Sequence, residues 1–130
     1  MKKHFPLLLL PFLLLISCTS LAHQKDLMTP VVFAQQIAQP GAQILDVRTP
    51  EEYTGGHIKN AVLADISDKA SFEEKIKGLD RNKPVYAYCR SGRRSAVAAE
   101  RLKANGFTQV YNLDGGIEAW MVAEKPVEKK

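Results

Sequence analysis

A short apolar run in the middle of the chain ends at a cysteine and is followed by a helical pattern. The run Val85–Tyr88 contains β-branched and aromatic residues, which is typical of a buried strand. Small and apolar residues at helical spacing begin at Ser95, six residues after Cys89. The cysteine is therefore predicted at the carboxyl end of a strand and at the mouth of a tight loop, where open α/β sheets place their chemistry.

The loop between this strand and this helix is rich in groups that stabilise a negative charge. N–H groups at a helix start have no acceptor within the helix, and the helix dipole adds partial positive charge there. Gly92 lets the backbone fold closely around an anion, and three arginines add cationic side chains: Arg90, Arg93 and Arg94. Because the thiolate is the reactive form of cysteine, the loop predicts a nucleophilic Cys89. The alternative is a structural cysteine that packs as a small hydrophobe beside solvated arginines.

Three motifs, in order along the chain, resemble signatures of the single-domain rhodanese sulfurtransferases. They are similar to the amino-terminal signature, the active loop and the carboxyl-terminal signature of that family. In this chain they are Asp46–Tyr53 with Gly56–Ile58 and Asn60–Ala61, then Cys89–Ser95, then Leu113–Ile117 with Trp120. The resemblance covers the chain from about residue 29 to residue 120. The three motifs together are specific, whereas any one of them alone is a weak signal.

Strands and helices alternate along the chain, and this alternation indicates a mainly parallel central sheet with helices on both faces. The resemblance implies the same architecture, an α/β rhodanese-like fold. Apolar runs predict strands near 43–47, 61–63, 85–88 and 109–112, and helices near 30–39, 50–55, 71–79, 95–105 and from Gly115–Gly116 onward.

Local signals at the ends of these elements give further expectations. Thr49–Glu52 and Ser71–Glu74 have the spacing of capping boxes and are predicted to start two of the helices. Residues 23–28 are predicted to be a polar tether, and residues 126–130 a charged tail that frays.

The resemblance implies a sulfurtransferase that works by double displacement without a metal or an organic cofactor. Cys89 would be catalytic, taking a sulfane sulfur from a small anionic donor such as thiosulfate and holding it as a persulfide. A thiol or cyanide would then accept this sulfur. Small members of this family present a shallow, open site. The rest of the loop would bind the donor: Arg90, Ser91, Gly92, Arg93, Arg94 and Ser95.

The charged side chains near the cysteine are predicted to have different roles. Arg90 and Arg93 are expected to attract the anionic donor, whereas Arg94 is expected to turn away and pair with an acid. Asp46 and Arg48 lie at the end of the strand near 43–47. They are expected to support the loop through charge-assisted hydrogen bonds rather than to take part in the reaction.

Other functions are compatible with parts of this pattern. A sulfur carrier or partner-docking module with little turnover would use the same cysteine loop. A phosphatase or arsenate reductase also places a cysteine before a helix, but the phosphatase pattern needs an arginine where this chain has Ser95. A thiol–disulfide oxidoreductase is disfavoured because Cys89 is not part of a C-x-x-C motif.

The amino-terminal segment predicts export. Residues 1–22 are predicted to be a signal peptide, because Lys2 and Lys3 precede an apolar run over 7–16 that is too short to span a bilayer. The remaining chain, residues 23–130, is predicted to be one domain with its core at about 29–122.

The end of the leader resembles a bacterial lipobox. In that signal Cys18, at the end of Leu15–Cys18, is lipidated and becomes the mature amino terminus, which holds the protein to a membrane without a spanning helix. Thr19, rather than Asp, follows it, as in lipoproteins sent to the outer membrane. We therefore expect a periplasmic outer-membrane lipoprotein, with soluble release after Ala22 as the alternative. Cys18 and Cys89 are not expected to pair.

The net charge of +4 does not indicate a nucleic-acid surface. Basic residues are scattered among acids, and no basic stripe is interleaved with aromatic residues. The expected partners are the small anionic sulfur donor, its thiol or cyanide acceptor, and a membrane reached through the lipid anchor. His57 is expected to be a packed or hydrogen-bonded turn residue rather than a metal ligand, and Trp120 to pack in the core or at its rim.

Overall fold

Five short strands form one sheet in which every neighbouring pair is parallel. The computed structural model describes residues 25–130, so the predicted leader and Cys18 lie outside the described residues. The order across the sheet is β1–β5–β4–β2–β3. The strands are β1 (Leu27–Met28), β2 (Gln43–Asp46), β3 (Val62–Leu63), β4 (Val85–Tyr88) and β5 (Val110–Leu113).

Within the described residues, five helices cover both faces of this sheet, which confirms the predicted α/β architecture. They are α1 (Pro30–Ile37), α2 (Pro50–Gly55), α3 (Lys69–Lys77), α4 (Arg93–Ala104) and α5 (Gly116–Val122). Apolar residues of α3 and α4 pack on one face, and those of α1 and α5 pack on the other.

The central strand β4 sends alternate side chains to the two faces. Val85, Ala87 and Cys89 lie in the core beneath α3 and α4, whereas Tyr86 and Tyr88 lie in the opposite core. This alternation places the cysteine on the same side of the sheet as α4, the helix that follows it.

Three of the five predicted helix starts are confirmed, at Pro30, Pro50 and Gly116, and two are wrong. Thr49 forms the predicted capping box with Glu52. The helix expected from Ser71 begins at Lys69 instead, because the Asp68 side chain accepts the Ser71 N–H and caps an earlier turn. The helix expected from Ser95 begins two residues earlier, at Arg93, because Gly92 in the left-handed region serves as its N-cap.

The two ends of the domain are more ordered than expected. Within the predicted tether, Leu27–Met28 forms β1 and pairs with β5. The predicted fraying of the tail is wrong as well: Glu128 exchanges two backbone hydrogen bonds with His57, at 2.9 and 2.8 Å. Among residues 25–130, no helix combines the length and the apolar character needed to cross a bilayer.

Candidate active site

The sulfur of Cys89 lies directly after β4 and accepts hydrogen bonds from the start of α4. The Gly92 N–H donates to Sγ at a nitrogen–sulfur distance of 3.0 Å, and the Ser95 hydroxyl donates at 3.3 Å. Ser95 itself is fully buried. Both donors are at residues that the sequence assigned to the substrate loop, so the structure brings these predicted residues together around the sulfur.

Two opposing effects act on the ionisation of this thiol. Burial raises the pKa of Cys89, because an anion is poorly solvated there. Hydrogen bonds from the Ser95 hydroxyl and from the backbone N–H groups of Ser95, Gly92 and Ser91 favour the thiolate. The hydrogen bonds outweigh burial, and the pKa of Cys89 lies below its ordinary value. The loop thus favours the nucleophilic form of the sulfur.

The start of α5 holds the carbonyl groups of the same loop. The Ile117 N–H donates to the Cys89 carbonyl at 2.9 Å, and the Glu118 N–H donates to the Arg90 carbonyl at 3.2 Å. Gly116 allows this close approach, because it has a φ of +62° and a Cβ there would stand 2.4 Å from the Arg90 oxygen. The glycine at position 116 is therefore required by the loop that it contacts.

The three arginines of the loop have different surroundings. Arg94 makes a bidentate ion pair with Glu52 at 2.7 and 2.9 Å, as the sequence predicted for an arginine turned toward an acid. Arg90 is paired with Glu118 at 2.7 Å on the surface. Arg93 is exposed and forms no ion pair within residues 25–130. Of the three, Arg93 is the one best placed to meet an anion from solution.

The pair of Glu52 and Arg94 links α2 to the first turn of α4. The hydrogen bonds from Arg94 lower the pKa of Glu52 to about 2. The same carboxylate also belongs to the capping box at the start of α2. From the sequence, Glu52 was predicted only to cap a helix. Its contact with Arg94 was not predicted, because the two residues lie 42 positions apart.

Asp46 and Arg48 form a buried network at the ends of β2 and β4. Their closest side-chain atoms are 2.7 Å apart, and both residues are at least nine-tenths buried. The Tyr88 hydroxyl donates to Asp46 at 2.7 Å, and Arg48 donates to the Gly56 carbonyl at 2.7 Å. Since Tyr88 points to the face opposite Cys89, this network braces the strand ends and makes no hydrogen bond with the sulfur.

His57 and Trp120 occupy packed positions. His57 is buried, its Nδ1 lies 2.9 Å from the Tyr53 carbonyl oxygen, and its ring stacks on that tyrosine at 3.8 Å. The Trp120 indole N–H donates to the Pro126 carbonyl at 2.9 Å. No group of three or more His, Cys, Asp and Glu side chains placed to hold a metal ion is found between residues 25 and 130.

A buried polar residue that contacts the loop was also absent from the predicted site. Asn112, at 5% exposure, lies in β5 and its side-chain amide donates to the Gly92 carbonyl at 3.2 Å. The available signal was a polar residue inside an apolar strand, between Tyr111 and Leu113. The sequence pattern did not connect it with a loop 20 positions away.

The sulfur is more enclosed than a shallow, open site would be. Cys89 is only 1% exposed, whereas its neighbours Arg90, Ser91 and Arg93 are exposed. A cavity of about 370 Å³ lies nearby, between α2 and α5, and includes Glu52 and Ile117, which also contact the loop and its helix. The exposed face of the loop therefore lies between the sulfur and the solvent.

Comparison with known proteins places this arrangement in a family. The sequence profile of the rhodanese-like domain matches residues 29–123. The uncharacterized protein YqhL of Bacillus subtilis (strain 168) is 43% identical over 79 residues, which cover 61% of this chain and 60% of YqhL. The thiosulfate sulfurtransferase GlpE of Pseudomonas fluorescens (strain SBW25) is 38% identical over 91 residues, covering 70% of this chain and 81% of GlpE.

Solved structures agree with the sequence comparisons. A rhodanese-related protein from Thermoplasma volcanium superposes with a TM-score of 0.69 and 32% identity, covering 79% of this chain and 97% of the other. A rhodanese-like domain protein from Staphylococcus aureus gives a TM-score of 0.68 and 31% identity, covering 81% and 98%. The chain belongs to the rhodanese-like domain family, whose relatives here include named sulfurtransferases.

Proposed function

We propose that this protein is a thiosulfate sulfurtransferase that carries sulfur as a persulfide on Cys89. The observation that carries the proposal is the pair of donors on Sγ, from the Gly92 N–H and the Ser95 hydroxyl, at the start of a helix. These donors favour a thiolate and would equally hold the negative charge of a persulfide. The position where phosphatases need an arginine is occupied here by a serine that donates to the sulfur.

The first step is an attack of the thiolate on the outer sulfur of thiosulfate. A bond forms between Sγ and that sulfur, while the sulfur–sulfur bond of thiosulfate breaks and its electron pair leaves with sulfite. The charge is conserved, because a thiolate and a dianion become a persulfide anion and sulfite. Arg93 provides the exposed positive charge that attracts the dianion, and Arg90 becomes available if its surface pair with Glu118 opens.

The second step returns the enzyme to the thiolate. Cyanide or a thiolate attacks the terminal sulfur of the persulfide, and the bond to Sγ breaks with its electron pair returning to Cys89. The products are thiocyanate or a low-molecular-weight persulfide. The cavity between α2 and α5 offers the acceptor a place to approach the loop, with Ile117 and Met121 as apolar contacts.

A sulfur carrier with little turnover is the second candidate, and the enclosure of Cys89 favours it. Cys89 is only 1% exposed. In this alternative a protein partner would open the loop on binding and so give its acceptor group access to the sulfur. The persulfide forms on Cys89 and stays there until a protein partner accepts the sulfur.

Thiocyanate production tests the proposal and separates the two candidates. Purified protein is mixed with thiosulfate and cyanide, and thiocyanate is counted per protein molecule over time. A sulfurtransferase gives many turnovers, a carrier that releases sulfur only to its protein partner gives less than one per molecule, and Cys89→Ser gives none. Equal rates for the Cys89→Ser variant and the unchanged protein would refute the proposal.

We also propose that the chain is exported and that residues 23–130 form the mature domain, held to the outer membrane by lipid on Cys18. The support is the basic start, the short apolar run and the lipobox-like Leu15–Cys18. Mass spectrometry of the protein taken from bacterial membranes tests this. We expect the mature chain to begin at a lipid-modified Cys18. We expect the Cys18→Ser variant, which has no lipid there, to be found in the soluble fraction. An unprocessed chain that starts at Met1 would contradict export.

A further inference from the structure

The side-chain amide of Asn112 is buried, and only one of its two polar atoms has a hydrogen-bond partner. Its Nδ2 donates to the Gly92 carbonyl at 3.2 Å, whereas its Oδ1 is buried and has no hydrogen-bond partner in the described part of the chain. Turning the amide over would place Oδ1 against the Gly92 carbonyl, two acceptors facing each other. The contact with Gly92 therefore fixes the orientation of the amide.

Because its oxygen has no hydrogen-bond donor, a contribution to the stability of the fold does not explain why position 112 is an asparagine. A buried acceptor without a donor destabilises the folded state, and an apolar side chain of similar size would avoid this. The neighbouring strand residues Val110 and Leu113 are apolar and buried. Position 112 is in register with Ala87, two residues before the cysteine, so it lies where β5 meets the loop.

Gly92 is the residue whose conformation matters most to the sulfur. Its N–H donates to Sγ at 3.0 Å, and it has a φ of +107°. Three groups lie 3.2 Å from its carbonyl oxygen: the Ala96 N–H and the Asn112 amide, which donate to it, and the Ser95 hydroxyl, whose single proton goes either to this oxygen or to the sulfur. A glycine has no side chain to restrict its backbone, so such contacts hold its φ and ψ. Asn112 supplies the one contact of the three that ties Gly92 to the sheet rather than to its own helix.

We infer that Asn112 is a positioning residue that, by holding the Gly92 carbonyl, keeps the Gly92 N–H aimed at the Cys89 sulfur and so favours its anionic form. The inference rests on the proposed function for its purpose, because sulfur transfer needs that anion. The role is indirect, since Asn112 makes no hydrogen bond with the sulfur itself.

The test compares Asn112→Leu with Asn105→Ala in the full chain. Asn105 makes a similar amide-to-carbonyl hydrogen bond, to Arg101 at 2.8 Å, at the far end of the same helix. Iodoacetamide labelling of Cys89 is followed against pH by mass spectrometry of tryptic peptide 82–90, which does not contain Cys18. Thermal unfolding of each variant is measured alongside.

We expect Asn112→Leu to raise the pKa of Cys89, with the thiolate fraction at pH 7 falling about three- to tenfold. Its unfolding temperature should stay equal or rise, because the unsatisfied oxygen is gone. Asn105→Ala should lower the unfolding temperature and leave the pKa of Cys89 unchanged. If leucine prevents folding, Asn112→Ala removes the same donor without adding bulk and should raise the pKa in the same way.

Equal Cys89 pKa values in the folded Asn112 variants and the unchanged protein would overturn the positioning role. So would a rise in that pKa of the same size in Asn105→Ala. The readout is independent of sulfur transfer: failure of thiosulfate to modify the unchanged protein would refute the proposed function while leaving this comparison valid.

Discussion

At Cys89, the balance between burial and hydrogen bonding decides whether the sulfur is a thiol or a thiolate. Burial alone would make this cysteine an inert core residue, like its neighbours in the same apolar cluster. Donors from the start of α4 reverse that outcome. The sequence predicted backbone N–H donors at this helix start, because they are local, within six positions of the cysteine, but it assigned Ser95 to substrate binding and did not predict the bond from its hydroxyl to the sulfur. It did not predict the enclosure of the sulfur, which depends on packing of distant elements.

Removing the Ser95 hydroxyl tests this balance directly. In Ser95→Ala we expect the pKa of Cys89 to rise and the thiolate fraction at pH 7 to fall about three- to tenfold, since the side-chain donor is lost. Ser91→Ala is the matched control, because Ser91 contributes only its backbone N–H, which alanine keeps. The thiolate fraction is measured from labelling of peptide 82–90 against pH. Indistinguishable titrations of Ser95→Ala and Ser91→Ala would contradict the role given to the hydroxyl.

The depressed pKa of Cys89 also makes stability depend on pH. The thiolate is favoured in the folded state, so its contribution to the free energy of unfolding is full above the ordinary pKa of about 9 and is lost as the pH falls through the lower folded value. The stability difference between the unchanged protein and Cys89→Ala should therefore shift in favour of the unchanged protein as the pH rises toward 9. A difference that is constant with pH would contradict the lowered pKa.

At the scale of elements, the loop is held from three sides by α2, α5 and β5. Sequence patterns predicted each element, but the contacts between them are long-range. The ion pair of Arg94 with Glu52 and the hydrogen bond of Asn112 with Gly92 join positions 42 and 20 apart. Local patterns could not decide whether Asp68 or Ser71 caps the helix. They also could not show that Leu27–Met28 forms a two-residue strand, because that strand exists only through its pairing with β5.

The ion pair between α2 and α4 should stabilise the fold in a pH-dependent way. The pKa of Glu52 is about 2 in the folded protein, so its contribution is present above its ordinary value of 4.5 and is lost as the pH falls toward 2. Glu52→Gln keeps the capping geometry and should cost about 1–2 kcal/mol at pH 7, because partial exposure screens the pair.

Chemical denaturation between pH 2 and pH 7 measures this contribution. The two proteins should converge in stability near pH 2. Glu74→Gln is the control, since Glu74 forms a highly exposed pair with Lys77 and should change little. A loss in Glu52→Gln that stays the same at every pH would show that the ion pair is not its cause.

The glycine at the start of α5 should be essential for the loop. Gly116→Ala places a Cβ 2.4 Å from the Arg90 oxygen at a positive φ, so we expect a loss of at least about 2 kcal/mol in unfolding free energy. The loop carbonyls must also move, which should raise the pKa of Cys89. Gly78→Ala is the control: a Cβ there would stand 3.6 Å from the nearest atom, the Lys75 carbonyl oxygen, and the change should stay within about 1 kcal/mol. Equal stability losses in the two variants would contradict the close approach.

For the whole molecule, the parallel sheet explains why the site is where it is. The ends of β2, β4 and β5 meet at one edge, and α4 begins there with its N–H groups directed at the sulfur. Alternation of strands and helices was sufficient to predict this architecture and the place of the cysteine within it. It was not sufficient for the ends of the domain, because Glu128 pairs with His57, which lies far away in the sequence, and local patterns do not indicate such a contact.

The central claim is that Cys89 accepts a sulfur atom from a sulfane donor. The most direct measurement is the mass of peptide 82–90 after the protein is incubated with thiosulfate, and again after cyanide is added. The account predicts that the peptide gains one sulfur atom, that cyanide removes it, and that Cys89→Ser gains none. A peptide whose mass is unchanged by thiosulfate, in a protein that is folded and carries a reduced Cys89, would contradict it.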